Sequence, residues 1–239
     1  MREAKMGANR TGIDVSPVYS KQMISDAEEL SPPPSESVMM AAMEQQYIEA
    51  AHGVGSVPLP GTLKGVLKTA GKKVGGHNPE VLINKLGERL AYERSGVRLY
   101  QSFIRKCETL NGASQSPIPL DGLREICMEE AEHFQVLKEC MESIGADPTA
   151  QTPDADVSGV AGSGLMKVIT DPRTSLSQCL EAFLTIELTD QASWELLISL
   201  CDEMGLDEIS ERFQACLAQE ETHVERVKAW YQESVISQV

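Results

Sequence analysis

The chain lacks C-x-x-C pairs and long apolar runs. Its six cysteines stand singly in helix-like segments, which excludes a rubredoxin-type iron site and a dithiol redox centre and indicates small buried side chains. No stretch approaches the roughly 18 uninterrupted apolar residues of a membrane helix, and the first residues, MREAKMGANRTGIDV, lack the apolar centre of a signal peptide. We therefore expect a cytoplasmic protein without a membrane partner.

Basic residues are scarce over most of the chain. Residues 81–239 contain 13 Lys and Arg against 27 Asp and Glu, and so carry nearly all of the net charge of −15. An acidic surface of this kind repels the phosphates of nucleic acids. We therefore expect no nucleic-acid partner, whereas the surplus of carboxylates suits the binding of cations.

No segment shows the alternating pattern of a β-strand, and from Pro79 onward the apolar residues follow the period of long amphipathic helices. The pattern predicts helices over residues 79–110, 119–144, 175–204 and 207–234. The first and third connections are short, whereas the second, 145–174, is long and contains a glycine-rich run that we interpret as flexible. The sequence thus predicts an all-α four-helix bundle over 79–237, made of two antiparallel hairpins joined by a long crossover.

Residues 1–78 form an N-terminal extension of different composition. Residues 1–37 are polar, end in a proline-rich run and show no sustained helical period, so we expect most of them to be irregular. Residues 38–51 predict a short helix.

A carboxylate and a histidine recur with one spacing in the two halves of the predicted bundle. The pattern E-x-x-H occurs in the second and the fourth helix, where it places both side chains on one helical face. Each of the preceding helices contributes a glutamate, and the two halves repeat at offsets of 94 and 90 residues. The six candidate residues are Glu93, Glu130, His133, Glu187, Glu220 and His223.

The antiparallel hairpins bring these residues to one level. Glu93 precedes Gly112 by 19 residues and Glu130 follows it by 18, so the two lie opposite each other. In the second hairpin the distances of Glu187 and Glu220 from the turn at Gly205 differ by about three residues. This is about 4.5 Å along the helix axis, which a side chain can span. Four carboxylates and two imidazoles are therefore predicted to surround a common point.

The tripeptide alone is not diagnostic. The chain has 26 glutamates among 239 residues, so chance places one three residues before a given histidine about one time in nine. Glu49 and His52 form such a copy, which ends at Gly53 without a partner hairpin, and we interpret it as a coincidence.

The neighbours of the candidate residues are predicted to have simpler roles. Glu129, Glu132 and Glu221 project elsewhere around their helices, so we expect them on solvated faces. Tyr100 and Trp194 are expected in the core, where the Tyr100 hydroxyl can donate a hydrogen bond near the site.

Four carboxylates in an interior repel one another or take up protons unless cations compensate them. Two divalent ions bring four positive charges. Mixed oxygen and nitrogen ligands without thiolates suit iron, with manganese as the alternative, and iron reacts with peroxide or dioxygen. Glu130 and Glu187 are natural candidates to bridge the two ions.

At these residues the chain resembles the ferritin-like diiron superfamily, over about residues 80–237, and is most similar to rubrerythrin-type bundles. The resemblance implies a ferritin-like bundle with two iron ions held by the six residues. It adds Asp190 as a seventh candidate ligand, because rubrerythrins carry a glutamate at that position. It further implies an oxidoreductase that reduces peroxide or dioxygen, and a homodimer.

Rubrerythrins usually carry a rubredoxin-like domain that supplies electrons, and the missing C-x-x-C pairs show that this chain has none. An enzyme of this type would therefore need a separate electron donor. Three other functions stay open: binding and oxidation of ferrous iron for storage, a metal-free helical scaffold, and oxygenation of an organic substrate.

Overall fold

The computed structural model describes residues 16–30, 34–58, 78–111 and 118–239, and these residues form seven α-helices and no β-strand. The all-α prediction is confirmed for this part of the chain. Each of the four helices predicted from Pro79 onward begins and ends within two residues of its predicted bounds. In chain order the helices are α1 Pro17–Leu30, α2 Pro34–Ala50, α3 Pro79–Asn111, α4 Leu120–Ile144, α5 Pro153–Thr170, α6 Leu176–Glu203 and α7 Asp207–Ile236.

Helices α1 and α2 belong to a separate compact unit that ends at Gly53. The prediction of a mostly irregular segment before residue 38 is wrong for residues 17–30, which form α1. Its apolar residues Tyr19, Met23, Ala27 and Leu30 do recur at helical spacing, but the segment is short and none of its residues is buried. Helix α2 begins four residues earlier than predicted, at Pro34, because proline suits the first turn of a helix. The rest of the predicted extension, at 1–15, 31–33 and 59–77, lies outside the described residues.

The second unit begins at Val54 and contains the four long helices. Helix α3 packs along α4 and α6 along α7, which makes two antiparallel hairpins, and these meet through α3 with α6 and α4 with α7. Gly145 ends α4 with φ of 85°, in the left-handed region that favours glycine. None of the described helices is both long and apolar enough to cross a membrane.

The crossover between the hairpins is not the flexible connection that its glycines predicted. Residues 153–170 form α5, which packs against α3 and α6. Ile169 is fully buried, and Leu165 and Val168 pack beside it. At the other end of the helix, Asp154 lies 2.7 Å from Lys85 of α3. Burial of one apolar face thus maintains a helix whose local propensity is poor.

The apolar interior is divided into two clusters by a layer of polar residues. One cluster includes Tyr100, Phe103 and Phe183, and the other includes Leu86, Trp194 and Phe213. In each long helix the predicted ligands lie in sequence between the residues of the two clusters. All six cysteines lie in the part of the chain that the structure describes, and all but the half-buried Cys127 are buried, which confirms their predicted role as apolar side chains.

Candidate metal centre

The polar layer contains every candidate residue that the sequence predicted. Each of the seven side chains exposes at most 2% of its surface. Four different helices supply them, so the layer exists only when both hairpins are assembled. The residues are Glu93 on α3, Glu130 and His133 on α4, Glu187 and Asp190 on α6, and Glu220 and His223 on α7.

Six of these residues form two overlapping groups, in each of which the ligand atoms lie within 4.8 Å of one another. Glu130 and Glu220 belong to both groups, whereas Glu187 belongs to one. The geometry thus puts Glu220, rather than the predicted Glu187, beside Glu130 between the groups. We call the first group the His133 position; it consists of Glu93, Glu130, His133 and Glu220. We call the second group the His223 position; it consists of Glu130, Glu187, Glu220 and His223.

The spacing of the donor atoms fits a cation at the His223 position. Nδ1 of His223 lies 3.4 Å from Oε2 of Glu220, 3.6 Å from Oε1 of Glu130 and 3.7 Å from Oε2 of Glu187. Nδ1 of His223 and Oε2 of Glu187 are buried without a hydrogen bond of good geometry. Tetrahedral ligands at bond lengths of about 2.1 Å stand about 3.4 Å apart. The atoms are therefore arranged around a common point rather than paired.

The His133 position has the same donors in a tighter arrangement. Nδ1 of His133 lies 2.8 Å from Oε1 of Glu220 and 3.9 Å from Oε2 of Glu93. Both oxygens of Glu93 are buried without a hydrogen bond of good geometry. Buried Glu/His groups of this composition can hold a metal ion.

Burial strongly perturbs the carboxyl groups of the layer. Burial, assisted by neighbouring carboxylates, raises the pKa of Glu93 and of Glu130 well above the ordinary value. It raises the pKa of Glu187 to about 8. The cluster without a cation thus retains protons at neutral pH, because charged carboxylates in an interior repel one another.

Glu220 behaves oppositely because both histidines face it. Burial opposes its ionisation, but the imidazoles of His133 and His223, whose Nδ1 atoms lie 2.8 Å and 3.4 Å from its oxygens, lower its pKa to about 2. Burial likewise opposes charge on His223, yet Glu220 raises the pKa of that imidazole to about 9. In the metal-free protein the positive charge of protonated His223 thus compensates Glu220 where a cation would otherwise do so.

A buried arginine, which the sequence analysis missed, adjoins the layer. Nε of Arg89 lies 3.3 Å from Glu93, and Nη1 lies 3.1 Å from Asp190. The guanidinium also stacks over the ring of Tyr92 at 3.9 Å. Asp190 thus lies outside both ligand groups and pairs with Arg89. The spacing of four residues between Arg89 and Glu93 was the available signal.

Nε2 of each histidine points away from the cluster. On the neighbouring helix it contacts the residue that comes just before the glutamate of the other E-x-x-H pattern. Nε2 of His223 donates to Glu129 at 2.8 Å, and Nε2 of His133 lies 3.0 Å from Oε1 of Gln219. A proton on Nε2 leaves the lone pair of Nδ1 free to face the cluster. The prediction of a solvated Glu129 holds only in part, since 24% of its side chain is exposed while its carboxylate contacts His223. A helical wheel considers one helix and does not include the antiparallel neighbour. Gln219 was missed for the same reason.

The remaining predictions for neighbouring residues are confirmed. Glu132 and Glu221 are exposed. Tyr100 is fully buried, and its hydroxyl donates to Oε1 of Glu187 at 2.5 Å. Trp194 is buried and meets the ring of His133 edge to face at 5.5 Å.

The third E-x-x-H copy lies in the N-terminal unit. Glu49 and His52 are exposed there, and Glu49 accepts a hydrogen bond from Gln45. This agrees with their interpretation as a coincidence.

Comparison with known families gives one match. A family described as a domain of unknown function, DUF892, matches residues 79–239, roughly two thirds of the chain. The chain belongs to the DUF892 family. DUF892 is part of the ferritin-like superfamily. No curated protein and no solved structure matches the chain.

A cavity of about 890 Å³ adjoins the polar layer of this DUF892 domain, between α3 and α5. Its lining includes Tyr92, Gly96 and Ile186, which are near neighbours of ligand candidates. None of the seven candidates lines it. The cavity therefore approaches the cluster from the outer side of α3.

Gly96 of the DUF892 domain leaves the space that Glu130 occupies. A Cβ atom at Gly96 would lie 2.7 Å from Oε2 of Glu130, which the cluster confines, whereas one at Gly159 would have nothing within 4 Å. We expect Gly96→Ala to lower the free energy of unfolding by about 1 to 3 kcal/mol through overpacking. We expect Gly159→Ala to raise it by about 0.5 to 1 kcal/mol through helix propensity. Urea denaturation of both variants checks this, and equal effects would show that Glu130 has room to move.

Proposed function

We propose that this DUF892 protein is a ferritin-like diiron oxidoreductase that reduces peroxide or dioxygen, with the four long helices as its bundle and rubrerythrin-type proteins as its nearest parallel. The observation that carries the proposal is the pair of buried ligand groups that share Glu130 and Glu220. Glu130 and Glu220, which belong to both groups, would help to hold each of two adjacent cations.

The charges of the layer support two divalent ions. The five buried carboxylates bring five negative charges, and Arg89, buried against Glu93 and Asp190, brings one positive charge. Two divalent cations add four more positive charges and make the layer neutral. A single divalent cation would leave two buried negative charges uncompensated, which is costly in an interior.

The residues of the chain hold and orient the donors. The hydroxyl of Tyr100 donates to Oε1 of Glu187, so Oε2 of that carboxylate is left for the cluster. Hydrogen bonds at Nε2 fix both imidazoles with Nδ1 inward. Bound iron would supply the redox chemistry by which peroxide or dioxygen is reduced. The apolar clusters on both sides of the layer exclude bulk water.

The donor set favours iron, with manganese as the alternative. It consists of carboxylate oxygens and imidazole nitrogens without thiolates, a combination that both metals accept. The electrons would come from a separate donor, because the chain has no C-x-x-C pair. Oxidation of ferrous iron for storage uses the same ligands and is separated from this function by experiment.

Anaerobic loading with ferrous iron tests the proposal. We expect two iron ions per chain, measured by metal analysis after gel filtration, and oxidation of the loaded protein that is faster with peroxide than with dioxygen. In Glu130→Ala we expect less than one iron per chain and loss of the rapid oxidation, because both positions lose a shared ligand. Glu132→Ala is the matched control, since this glutamate lies on the same helix and is exposed.

The stoichiometry decides among the functions. Binding of many irons per chain, with a mineral product, would favour storage. Absence of bound iron in the folded wild type would leave only the helical scaffold.

A further inference from the structure

The two ligand groups have different surroundings. On α4 the glutamate of the E-x-x-H pattern, Glu130, is preceded by Glu129. On α7 the corresponding Glu220 is preceded by Gln219. Nε2 of His223 therefore donates to a carboxylate at 2.8 Å, whereas Nε2 of His133 donates to an amide oxygen at 3.0 Å. The local two-fold repeat of the sequence is thus broken at the hydrogen-bond partner of each histidine.

This difference changes the donor strength of the two imidazoles. A carboxylate that accepts the Nε2 proton draws it outward and makes Nδ1 a stronger base, and so a stronger ligand. A neutral amide does this more weakly. The orientation of the amide is itself fixed, because Nε2 of Gln219 donates to Oε1 of Glu129 at 3.4 Å and directs its oxygen at His133.

A second difference acts in the same direction. Arg89 lies 3.3 Å from Oε1 of Glu93, which belongs to the His133 position alone. Its positive charge draws electron density from this carboxylate and repels a cation bound there. At the His223 position, the corresponding carboxylate of Glu187 accepts a hydrogen bond from the neutral hydroxyl of Tyr100.

We propose that the two metal positions are unequal, and that the His223 position binds a divalent cation at least about tenfold more tightly than the His133 position, a difference typical of hydrogen-bond partners of ligand histidines. Glu129, Gln219 and Arg89 are the positioning residues that set this order. The inference rests on the proposed function, since it assumes that both groups bind metal. It adds that the chain fills stepwise and that one ion is exchangeable.

Titration with Co²⁺ of the full chain tests the order, because Co²⁺ is stable in air and its visible absorption reports each bound ion. In wild type we expect two steps whose dissociation constants differ at least tenfold. Glu93 and Glu187 each belong to one position only. We therefore expect Glu187→Ala to abolish the tight step and Glu93→Ala to abolish the weak step.

Variants that change the hydrogen-bond partners of the two histidines distinguish an effect on metal affinity from a loss of folded structure. We expect Glu129→Gln to weaken the tight step by about 10- to 100-fold and the weak step by less than about threefold. The double variant Glu129→Gln with Gln219→Glu keeps a carboxylate and an amide but exchanges their places, so the weak step should tighten at least about tenfold. Circular dichroism of the metal-free variants checks that the helices are retained.

Each outcome is decisive. Two equal steps in wild type, or a tight step that survives in Glu187→Ala, would overturn the inference but leave the proposed diiron function intact. An unchanged tight step in a folded Glu129→Gln would exclude the histidine partner as the cause. Failure of the folded wild type to bind any Co²⁺ would overturn the inference and count against the proposed function as well.

Discussion

Replacement of Arg89 by methionine is expected to lower the free energy of unfolding of the metal-free protein by about 3 to 5 kcal/mol at pH 8. Arg89 exposes 2% of its surface and is paired with two carboxylates that are equally buried. Methionine fills a similar volume but leaves Glu93 and Asp190 next to each other without a cation. Urea denaturation followed by circular dichroism measures the loss.

Arg124 provides the matched control. It also contacts two carboxylates, Glu108 at 2.8 Å and Asp121 at 2.9 Å, but about half of its side chain is exposed. Arg124→Met should therefore lower the free energy of unfolding far less than Arg89→Met does, since water screens its ion pairs. The loss in Arg89→Met should shrink at pH 5, where protonation removes the repulsion between Glu93 and Asp190. Equal losses in the two variants would show that burial does not decide the value of the pair.

The metal-free protein is expected to become less stable as the pH rises from about 5 to about 9. Burial raises the pKa of Glu187 to about 8 and that of Asp190 to about 7, whereas both groups ionise near their ordinary values when unfolded. Between these values the folded protein binds more protons than the unfolded chain, so the free energy of unfolding falls with pH. Thermal unfolding in the presence of a chelator should show a Tm lower by about 10 °C at pH 9 than at pH 5.

His223 acts in the same direction, whereas Glu220 acts in the opposite direction and outside this pH range. Interaction with Glu220 raises the pKa of His223 to about 9, so its contribution is lost as the pH rises through that value. Burial opposes the ionisation of Glu220, but the two histidines beside it lower its pKa to about 2. The contribution of Glu220 to stability therefore changes only at acidic pH. The other carboxyls therefore dominate the slope between pH 5 and pH 9.

Glu187→Gln and metal loading are the controls for this prediction. The glutamine variant lacks one of the titrating groups, so its Tm should depend less on pH. With two equivalents of Co²⁺ the dependence should reverse over the same range, because a cation competes with protons for the same oxygens and binds better as the pH rises. A Tm of the metal-free wild type that rises with pH would contradict the assignment of raised pKa values to the layer.

The fold was largely predictable where local pattern and burial agree. The four long helices carry apolar stripes, and Gly145 and Gly205 end two of them in left-handed conformations that the sequence signals directly. Helix α5 was mispredicted because three glycines gave a poor local propensity, and only its packing against α3 and α6 maintains it. Helix α1 was missed although Tyr19, Met23, Ala27 and Leu30 recur at helical spacing, because the polar composition of residues 1–37 outweighed this short pattern.

The ligand candidates were predictable because they repeat. The doubled spacing of glutamate and histidine, and the similar distances from the turns, identified six residues that the structure brings into one buried layer. The residues around them were not predictable in this way. Arg89, Glu129 and Gln219 look like ordinary polar helix residues in the sequence, and their partners are on other helices or in the interior.

The sequence by itself therefore determined the helical class, the bounds of the four long helices and the composition of the cluster, because these depend on spacing along one chain. Only the tertiary structure decided that Glu220, with Glu130, is shared between the two positions, that Asp190 pairs with Arg89, and that a carboxylate supports one histidine and an amide the other. These features depend on the rotation and axial offset of antiparallel helices. A shift of one residue, about 1.5 Å along the helix and 100° around it, would place other residues against the two histidines, and no periodicity within one helix records that choice.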